Sequence, residues 1–390
     1  MKKPFLDLDS SRVVTILVKM TGLHFERKEG CLPNAFAMAK LTLLFIASAV
    51  RTLEKMAHSF GFFNKTLHSN ETVDLVVTLQ SLGSNFQSFF SLVIIICWQW
   101  EGGFLRLKRK VLTLECDGKS SYSKLKPWLY ILPGAVMLSE IFMLMYIIWF
   151  STLSVKFYVA NNDYLTLSYI LIYRNALVLH GVFVGHVALC IFMISMCSLT
   201  IELSTLNQEF RELIKARKYM KADKNFIESR TQALCQEYCR RRKKVSDADY
   251  IFRTYTFFMI PIWLSTTIFV PITLLRVQWS VQLVFILKRL HDALRSIVHL
   301  YGLCVYPAQL RRTHDILSIY LSEWIDPTDK FSGMIKNLSD NIAQSNIGIT
   351  VGGMTVMTKP MILTCLSVIL PYIVLCLQLR IGTSSGATYQ

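Results

Sequence analysis

The sequence predicts an all-α polytopic membrane protein with seven transmembrane helices, a cytoplasmic N-terminus and an extracellular C-terminus. Three observations support this fold class. The 390 residues are 53% hydrophobic, with a mean hydropathy of +0.40, which is high for a soluble protein. The apolar residues form blocks of about 20 residues, the length that crosses a hydrocarbon core of roughly 30 Å. Basic loops separate these blocks and account for the formal net charge of +16.

Seven segments are candidate spans, and several carry aromatic residues at both ends, where membrane and water meet. Lys40 interrupts the first span, and Pro261 and Pro271 lie inside the fifth. In chain order the spans are residues 33–50, 76–100, 128–153, 175–203, 251–275, 277–306 and 352–380. Within one membrane domain, residues 1–390, we distinguish a cytoplasmic N-terminus (1–32), a cytoplasmic helical loop (204–250) and a terminal helix (357–380).

The distribution of Lys and Arg between the loops predicts the orientation. Four segments hold 29 of the 42 basic residues: residues 1–28, 101–127, 204–250 and 307–356. Cytoplasmic loops of membrane proteins carry such an excess. Two glycosylation sequons, at Asn64 and Asn70, lie in the first loop on the opposite side, as expected for an outer loop. We therefore expect a glycosylated, multi-pass protein of the plasma membrane.

The fourth span continues beyond the membrane as an amphipathic helix. An apolar stripe with steps of three and four residues marks one face of this helix: Leu203, Leu206, Phe210 and Leu213. Charged residues occupy positions that we expect to be exposed: Glu202, Glu209, Arg211 and Lys215. The stripe either packs against its own chain or joins subunits.

A run of five basic residues, Arg240 to Lys244, precedes the fifth span. Such a run can bind nucleic acid, but beside an apolar segment it is better explained by contact with anionic lipid headgroups. We therefore expect the lipid bilayer, and no nucleic acid, as a partner. The ten cysteines and eight histidines show no metal-ligand spacing, and no catalytic motif is present. The sequence predicts no enzyme, no cofactor and no metal site.

The sixth span carries many ionisable residues. Lys288, Asp292, Arg295 and His299 are spaced by four, three and four residues, so they share one face of a helix. A charge at the bilayer centre costs about 2.5–3.5 kcal/mol, which disfavours an isolated helix. We expect this polar stripe to face the interior of a bundle, with Asp292 paired to Lys288 or Arg295. Otherwise the segment does not span.

The last span also has a polar face. Thr364, Ser367, Pro371, Leu375 and Gln378 lie on one side of the segment when it is drawn as a helix. Such a stripe is expected where a helix faces water or partner helices. The alternative is that the hydroxyl groups only bond to their own backbone.

A short motif ends this span. Residues 371–379 read Pro-Tyr-Ile-Val-Leu-Cys-Leu-Gln-Leu. The pattern resembles the signature at the end of insect gustatory receptors and their nematode relatives, which is Thr-Tyr, five apolar residues and Gln-Phe. Tyr372 and Gln378 match it at the right spacing, whereas Pro371 and Leu379 replace the Thr and the Phe. The seven spans, the inside N-terminus and the basic loop before the fifth span also match the family.

The resemblance implies a ligand-gated, non-selective cation channel made of four identical or related subunits. It implies that the last helix lines the pore, through Thr364, Ser367, Pro371, Leu375, Gln378 and Leu379. Leu379 could form an apolar gate that closes by dewetting, and Pro371 is expected to kink the helix. The family includes light- and peroxide-sensing nematode members, so the stimulus need not be a tastant.

The resemblance also implies a small-molecule pocket among the outer halves of the earlier spans. Polar and aromatic residues at that depth are the candidates: Asn85, Tyr146, Trp149, His180, Trp263 and Gln282. Each of them could instead anchor a helix at the interface or pack between helices.

Two other functions stay open at this point. A receptor of the same topology could signal through a partner without conducting ions. A secondary transporter could use the charged sixth span as its substrate path. Glu140, His180 and His186 could serve a proton relay, or each could be a polar residue that faces the bundle and is hydrogen-bonded inside the fold. A G-protein-coupled receptor is excluded by the reversed orientation and by the lack of Asp-Arg-Tyr and Asn-Pro-x-x-Tyr motifs.

Overall fold

The computed structural model describes residues 39, 42–54, 56–57, 72–100, 106–111, 127–145, 164–220, 224–274, 283–322, 330–344, 347–367, 370–371 and 374. The predicted all-α fold class is confirmed, since nearly all of these residues are helical. A π-helical turn at Leu107–Val111 and one short hairpin are the departures. The helices and strands are α1 (residues 42–54), α2 (Thr72–Trp100), α3 (Pro127–Met145), α4 (Tyr164–Met220), α5 (Lys224–Leu274), α6 (Leu283–Ser322), α7 (Lys330–Gln344), β1 (Thr350–Val351), β2 (Thr355–Val356) and α8 (residues 359–367).

Three helices are much longer than a bilayer is thick. Helix α4 has 57 residues, α5 has 51 and α6 has 40. At 1.5 Å per residue α4 is about 85 Å long, against a hydrocarbon core of roughly 30 Å. The helices therefore continue without a break from their apolar parts into charged parts, as predicted for the segment after the fourth span.

Two of the described helices pass a length and composition test for crossing a membrane. These are Pro127–Met145 and Leu179–Ala216, and Asn85–Trp98 forms a shorter apolar stretch. The seven-span topology is thus a prediction that goes beyond this test.

Helix α4 is the centre of the bundle, since it packs against α2, α5 and α6. Small residues let the helices approach closely. A Cβ added at Gly302 of α6 would lie 2.5 Å from Met193 Sδ of α4, and one at Gly185 of α4 would lie 3.0 Å from Ser91 Oγ of α2. These two glycines bring α6 and α2 against the same helix.

Helix α6 has its polar face inside and its apolar face outside. Asp292, Arg295 and His299 are buried. The opposite face is apolar and exposed, at Leu287, Leu290, Leu294, Ile297 and Tyr301. A helix at the surface of a soluble protein buries its apolar face and exposes its polar face. A buried polar face and an exposed apolar face are expected when one side of a helix contacts a bundle and the other contacts lipid.

The apolar stripe at the end of α4 packs within its own chain. Leu203, Leu206, Phe210 and Leu213 are all at most 5% exposed, so the stripe does not form an open surface. Glu202 was expected to be exposed, and that prediction is wrong because its side chain is 2% exposed. It lies against Lys244 of α5, and sequence periodicity within α4 does not reveal this partner.

The segment between α7 and α8 is a hairpin, which the sequence pattern does not predict. Thr350 pairs with Val356 and Val351 with Thr355 in antiparallel register. The turn places Gly352 and Gly353 at φ of 63° and 79°, a region that glycine adopts without steric cost. Met354 N donates to Val351 O at 3.1 Å, which closes the turn just before the last helix.

Candidate functional site

A group of polar and ionisable side chains that contact one another lies between α2, α3, α4 and α6. The polar stripe of α6 meets three other helices there, and five buried or half-buried ionisable side chains take part: Glu140, His186, His291, Asp292 and Arg295. We call these five residues, with Gln87 and Ser139, the buried polar cluster. Ionisable groups inside a membrane-type bundle are rare and mark functional sites by default.

His186 of α4 connects the two halves of the cluster. Its Nδ1 bonds to Glu140 Oε1 of α3, and its Nε2 lies 3.3 Å from Ser139 Oγ and 3.4 Å from Arg295 Nη1. Because a guanidinium only donates, Nε2 accepts from Arg295 when the imidazole is neutral. The proton of the ring then sits on Nδ1, and this N–H donates a hydrogen bond to the Glu140 carboxylate.

Arg295 of α6 is the cation at the centre. Its Nη2 donates to Gln87 Oε1 of α2 and lies 3.9 Å from Asp292 Oδ1 on its own helix. The pairing of Asp292 with Arg295 is one of the two alternatives expected from their spacing. Gln87 carried no sequence signal, because a single amide in an apolar span does not reveal which helix it faces.

His291 extends the cluster along α6. Its Nε2 bonds to Ser139 Oγ, its Nδ1 lies 3.6 Å from Asp292 Oδ1, and its ring meets the His186 ring edge to face at 5.2 Å. Hydrogen bonds thus run in sequence from Glu140 through His186 and Ser139 to His291. Such a chain of titratable groups and a hydroxyl can relay a proton between helices.

The charges of these side chains do not cancel. Glu140 and Asp292 are acids and Arg295 is a base, so one negative charge is in excess when both acids are ionised and both imidazoles are neutral. A buried charge needs a partner. A cation or a proton entering the cluster is therefore favoured over an anion.

His299 occupies a separate aromatic box one turn further along α6. Its ring centroid lies 3.6 Å from that of Trp263, 4.8 Å from Phe192 and 5.4 Å from Tyr255. Within the described part of the chain, neither ring nitrogen of His299 has a hydrogen-bond partner. A buried polar group without a partner is unusual in a folded protein.

Three of the six candidate ligand-binding residues fall on described side chains. Trp263 is 1% exposed and lies in the aromatic box. Asn85 is buried on α2, two residues before Gln87, and His180 is half-buried on α4. Tyr146, Trp149 and Gln282 lie outside the described residues.

The candidate pore residues are described only in part. Thr364 and Ser367 are exposed, and their hydroxyls donate to Pro360 O at 3.0 Å and Thr364 O at 2.8 Å. These are the backbone bonds that the alternative interpretation predicted. Pro371 is exposed as well. Tyr372, Leu375, Gln378 and Leu379, the side chain of Lys288, and the sequons at Asn64 and Asn70 lie outside the described residues.

The described residues include no metal site, since none of their His, Cys, Asp and Glu side chains form a group of three that could hold an ion.

The basic run before the fifth span, Arg240 to Lys244, is only partly available to lipid. Arg241 and Lys244 turn inward to Glu202, and Arg240, Arg242 and Lys243 are exposed.

The segment before α8 is fixed to α5 and α6. Thr350 donates twice to Asp249 Oδ1, Thr256 Oγ1 donates to Thr350 O at 2.8 Å, and Gly352 N donates to Arg253 O at 3.0 Å. On the side of α6, Cys304 Sγ lies 3.8 Å from Met357 O. The start of the last helix is therefore held mainly by α5 and also contacts α6, the helix that carries the buried polar cluster.

No family model matches the sequence, and no curated protein matches it. The structure is similar to that of the insect olfactory receptor OR5 from Machilis hrabei. With eugenol bound, that receptor aligns at a TM-score of 0.67 and 12% identity over 96% of this chain and 98% of the receptor chain. Without it, the receptor aligns at 0.68 and 12% identity over 95% and 98%. Over nearly its whole length, this chain has the fold of an insect olfactory receptor.

Proposed function

We propose that this protein is a chemoreceptor of the gustatory type that works as a ligand-gated, non-selective cation channel in the plasma membrane. The end-to-end similarity to an insect olfactory receptor carries this proposal. It is independent of the terminal motif around Tyr372 and Gln378, because the fold comparison depends on the arrangement of the whole chain. Two unrelated observations thus favour the same class of protein.

The proposed assembly is a homomeric or heteromeric tetramer with seven spans per subunit and a cytoplasmic N-terminus. The last helix would line the pore through Thr364, Ser367, Pro371, Leu375, Gln378 and Leu379. The exposure of Thr364 and Ser367 on α8, and of Pro371 beyond it, supports this, because the described part of the chain leaves these residues uncovered. Its apolar neighbours Leu363 and Leu366 are exposed as well, as expected of a helix that packs against lipid and other subunits.

The ligand would be a small molecule bound in the outer half of the bundle. Trp263 is the best supported of the candidates, because it lines the aromatic box around His299. The olfactory receptor OR5 binds eugenol, a small aromatic compound, and an aromatic box suits ligands of that kind. The candidates Asn85, Tyr146, Trp149, His180 and Gln282 belong to the same proposal.

The coupling between ligand and pore would pass through α6. A ligand that shifts His299 or Arg295 moves the helix whose Cys304 contacts Met357 and whose Pro307 lies against Gly348. Both contacts are in the segment that leads into α8. A two-state displacement of this segment is the physical event that such coupling requires.

Whole-cell current tests the proposal. Cells expressing the chain are exposed to sugars, bitter compounds, aromatic odorants, peroxide and light while G-protein signalling is blocked. The proposal expects a stimulus-evoked cation current whose ion selectivity changes with Gln378→Ala. Calcium signals that require active G proteins would contradict the channel and favour a receptor that signals through a partner.

A secondary transporter is the second candidate, and the buried polar cluster favours it. The hydrogen-bond chain from Glu140 to His291 has the composition of a proton relay. A transporter would show uptake of its substrate that collapses with the proton gradient, and it would carry no current above the coupled flux. A channel gives a current that follows the ion gradients at fixed pH.

A further inference from the structure

A cavity of about 270 Å³ lies between α4 and α6, beyond the apolar parts of both helices. Four charged and three apolar side chains line it: Arg211, Lys215, Arg312, Asp315, Ile214, Ile316 and Ile319. The Asn207 side chain of α4 donates to Gln309 O of α6 at 3.4 Å about one turn before the cavity. This bond fixes the two helices side by side at its edge.

The cavity has an excess of positive charge. Three cations face one carboxylate there, and Asp315 lies 3.8 Å from His314 Nδ1. Among the residues that the structure describes, no acid lies within ion-pair distance of Arg211 or Lys215. Arg312 Nη1 donates to the neutral Gln309 Oε1, at 3.4 Å. Like charges that face each other across a crevice repel, and a bound anion would remove that repulsion.

The rest of the lining is apolar. Ile316 is buried and forms the floor, and Ile319 stays 55% exposed at the rim. Exposed isoleucine beside these cations suits a ligand with an anionic group and a carbon skeleton. Arginine binds phosphate through parallel N–H···O bonds, and lysine adds a point charge.

We propose that this cavity binds a phosphate ester, with the phosphates on Arg211, Lys215 and Arg312 and the carbon ring over Ile316 and Ile319. Inositol phosphates and the headgroups of phosphoinositide lipids share this chemistry. Arg211 follows Leu203 by eight residues, which is about 12 Å along the helix. A soluble inositol phosphate reaches this distance from the predicted end of the fourth span more easily than a lipid headgroup that is held by its acyl chains.

Equilibrium binding on the full-length protein tests the site. The protein is reconstituted in phosphatidylcholine nanodiscs and titrated with tritiated inositol 1,4,5-trisphosphate. In a second arm the nanodiscs contain phosphatidylinositol 4,5-bisphosphate, and the soluble probe competes with it. Arg211→Gln/Lys215→Gln removes two cations from the cavity. Arg253→Gln/Lys336→Gln removes two exposed cations that lie outside both the cavity and the basic run, one on α5 and one on α7, and is the matched control.

Loss of two charge-assisted contacts is expected to weaken binding at least about tenfold, with no change in the control pair. Ile319→Glu, which adds a negative charge at the rim, is expected to weaken it as well. Competition by the soluble probe in the lipid arm would identify the headgroup as a second source of the same phosphate ester. Equal weakening in both double variants, or no saturable binding of either probe, would overturn the proposal. The binding assay does not depend on whether the protein conducts ions.

Discussion

Asp249 and Thr350 are joined by two hydrogen bonds, since the backbone N–H and the Oγ1 hydroxyl of Thr350 both donate to Asp249 Oδ1. The two residues are 101 positions apart in the chain. One is on α5, and the other begins the hairpin that leads into α8. A single carboxylate oxygen therefore holds the start of the last helix against the body of the bundle.

Asp249→Ala is expected to weaken the response to a stimulus. It leaves two donors of Thr350 without an acceptor, which costs about 1–3 kcal/mol and loosens the hairpin on α5. The dose–response curve of the evoked current should shift to higher stimulus concentration at equal surface expression. Asp247→Ala is the control on the same helix, because Asp247 pairs at 3.2 Å with the exposed Lys110. Identical shifts of the dose–response curve in both variants would contradict a specific role of the Asp249–Thr350 hydrogen bonds.

Gly352→Ala and Gly353→Ala separate backbone strain from a steric clash. Both positions have positive φ, so each alanine costs on the order of 1–2 kcal/mol. A Cβ at Gly352 would also lie 2.7 Å from Phe257 Cδ2, whereas a Cβ at Gly353 meets nothing within 4 Å. Thermal unfolding in detergent should show a lower Tm for Gly352→Ala than for Gly353→Ala.

The double variant Gly352→Ala/Phe257→Ala tests this explanation, because it removes the atom that the new methyl group meets. It should recover part of the Tm lost in Gly352→Ala. Equal Tm values for the two single glycine variants would show that Phe257 moves aside without cost.

Lys244→Met is expected to destabilise the protein far more than Arg230→Met. Lys244 Nζ lies 3.1 Å from Glu202 Oε1, and these side chains are 9% and 2% exposed. Removing the lysine leaves a buried carboxylate, a change that typically costs about 3–5 kcal/mol. The Arg230–Glu209 pair is 2.8 Å long but 51% and 32% exposed, and such pairs contribute about 0–1 kcal/mol.

Chemical unfolding followed by circular dichroism compares the two variants with the double variant Glu202→Gln/Lys244→Met. The double variant should be more stable than Lys244→Met, because it no longer buries an unpaired charge. A double variant that is less stable than Lys244→Met would show that the lysine acts through its packing.

The spacing of residues within α6 predicted part of the buried polar cluster and of the aromatic box. The remaining residues join through contacts between helices. Asp292, Arg295 and His299 were expected on one buried face because steps of three and four residues define a helical face. Glu140 and His186 are 46 residues apart, and no periodicity links two helices that meet only in three dimensions. Gln87 joins the same cluster from a fourth helix, α2.

The hairpin and Glu202 could not be predicted for related reasons. Strands β1 and β2 have two residues each, too few to show an alternating pattern. Glu202 sits on the charged side of a correctly predicted amphipathic helix, but α5 covers that side and provides Lys244. Amphipathic patterns assign one face to the core, and they fail where a second helix packs on the other face.

Arg295→Met is expected to abolish folding and therefore expression at the cell surface. A second substitution should restore surface expression. The arginine is 6% exposed, and its loss leaves the carboxylates of Glu140 and Asp292 buried without a guanidinium. Arg295→Met/Asp292→Asn removes one charge of each sign and should regain surface expression. Arg253→Met is the control, since Arg253 is exposed and lies over the Tyr250 ring at 4.8 Å. Normal surface expression of Arg295→Met would mean that the cluster does not need its cation.

Cys235 and Cys239 of α5 are expected to differ in reactivity, and their labelling also tests the proposed orientation. Burial, with a smaller contribution from the neighbouring Cys239, raises the pKa of the Cys235 thiol to about 11. Only the thiolate attacks a maleimide, so on the order of one Cys235 thiol in 10⁴ is reactive at pH 7. Cys239 is exposed and should be labelled first.

Peptide mass spectrometry after brief treatment with a membrane-impermeant maleimide measures both sites. Cys239 should be modified in permeabilised cells and stay unmodified in intact ones, because residues 204–250 are proposed to be cytoplasmic. Modification of Cys235 should increase as the pH rises towards its pKa, since the thiolate fraction grows tenfold with each pH unit. Cys239→Ser is the control that removes the fast site and leaves the slow one. Rapid labelling of Cys239 in intact cells would place this loop outside and reverse the topology on which the proposed pore depends.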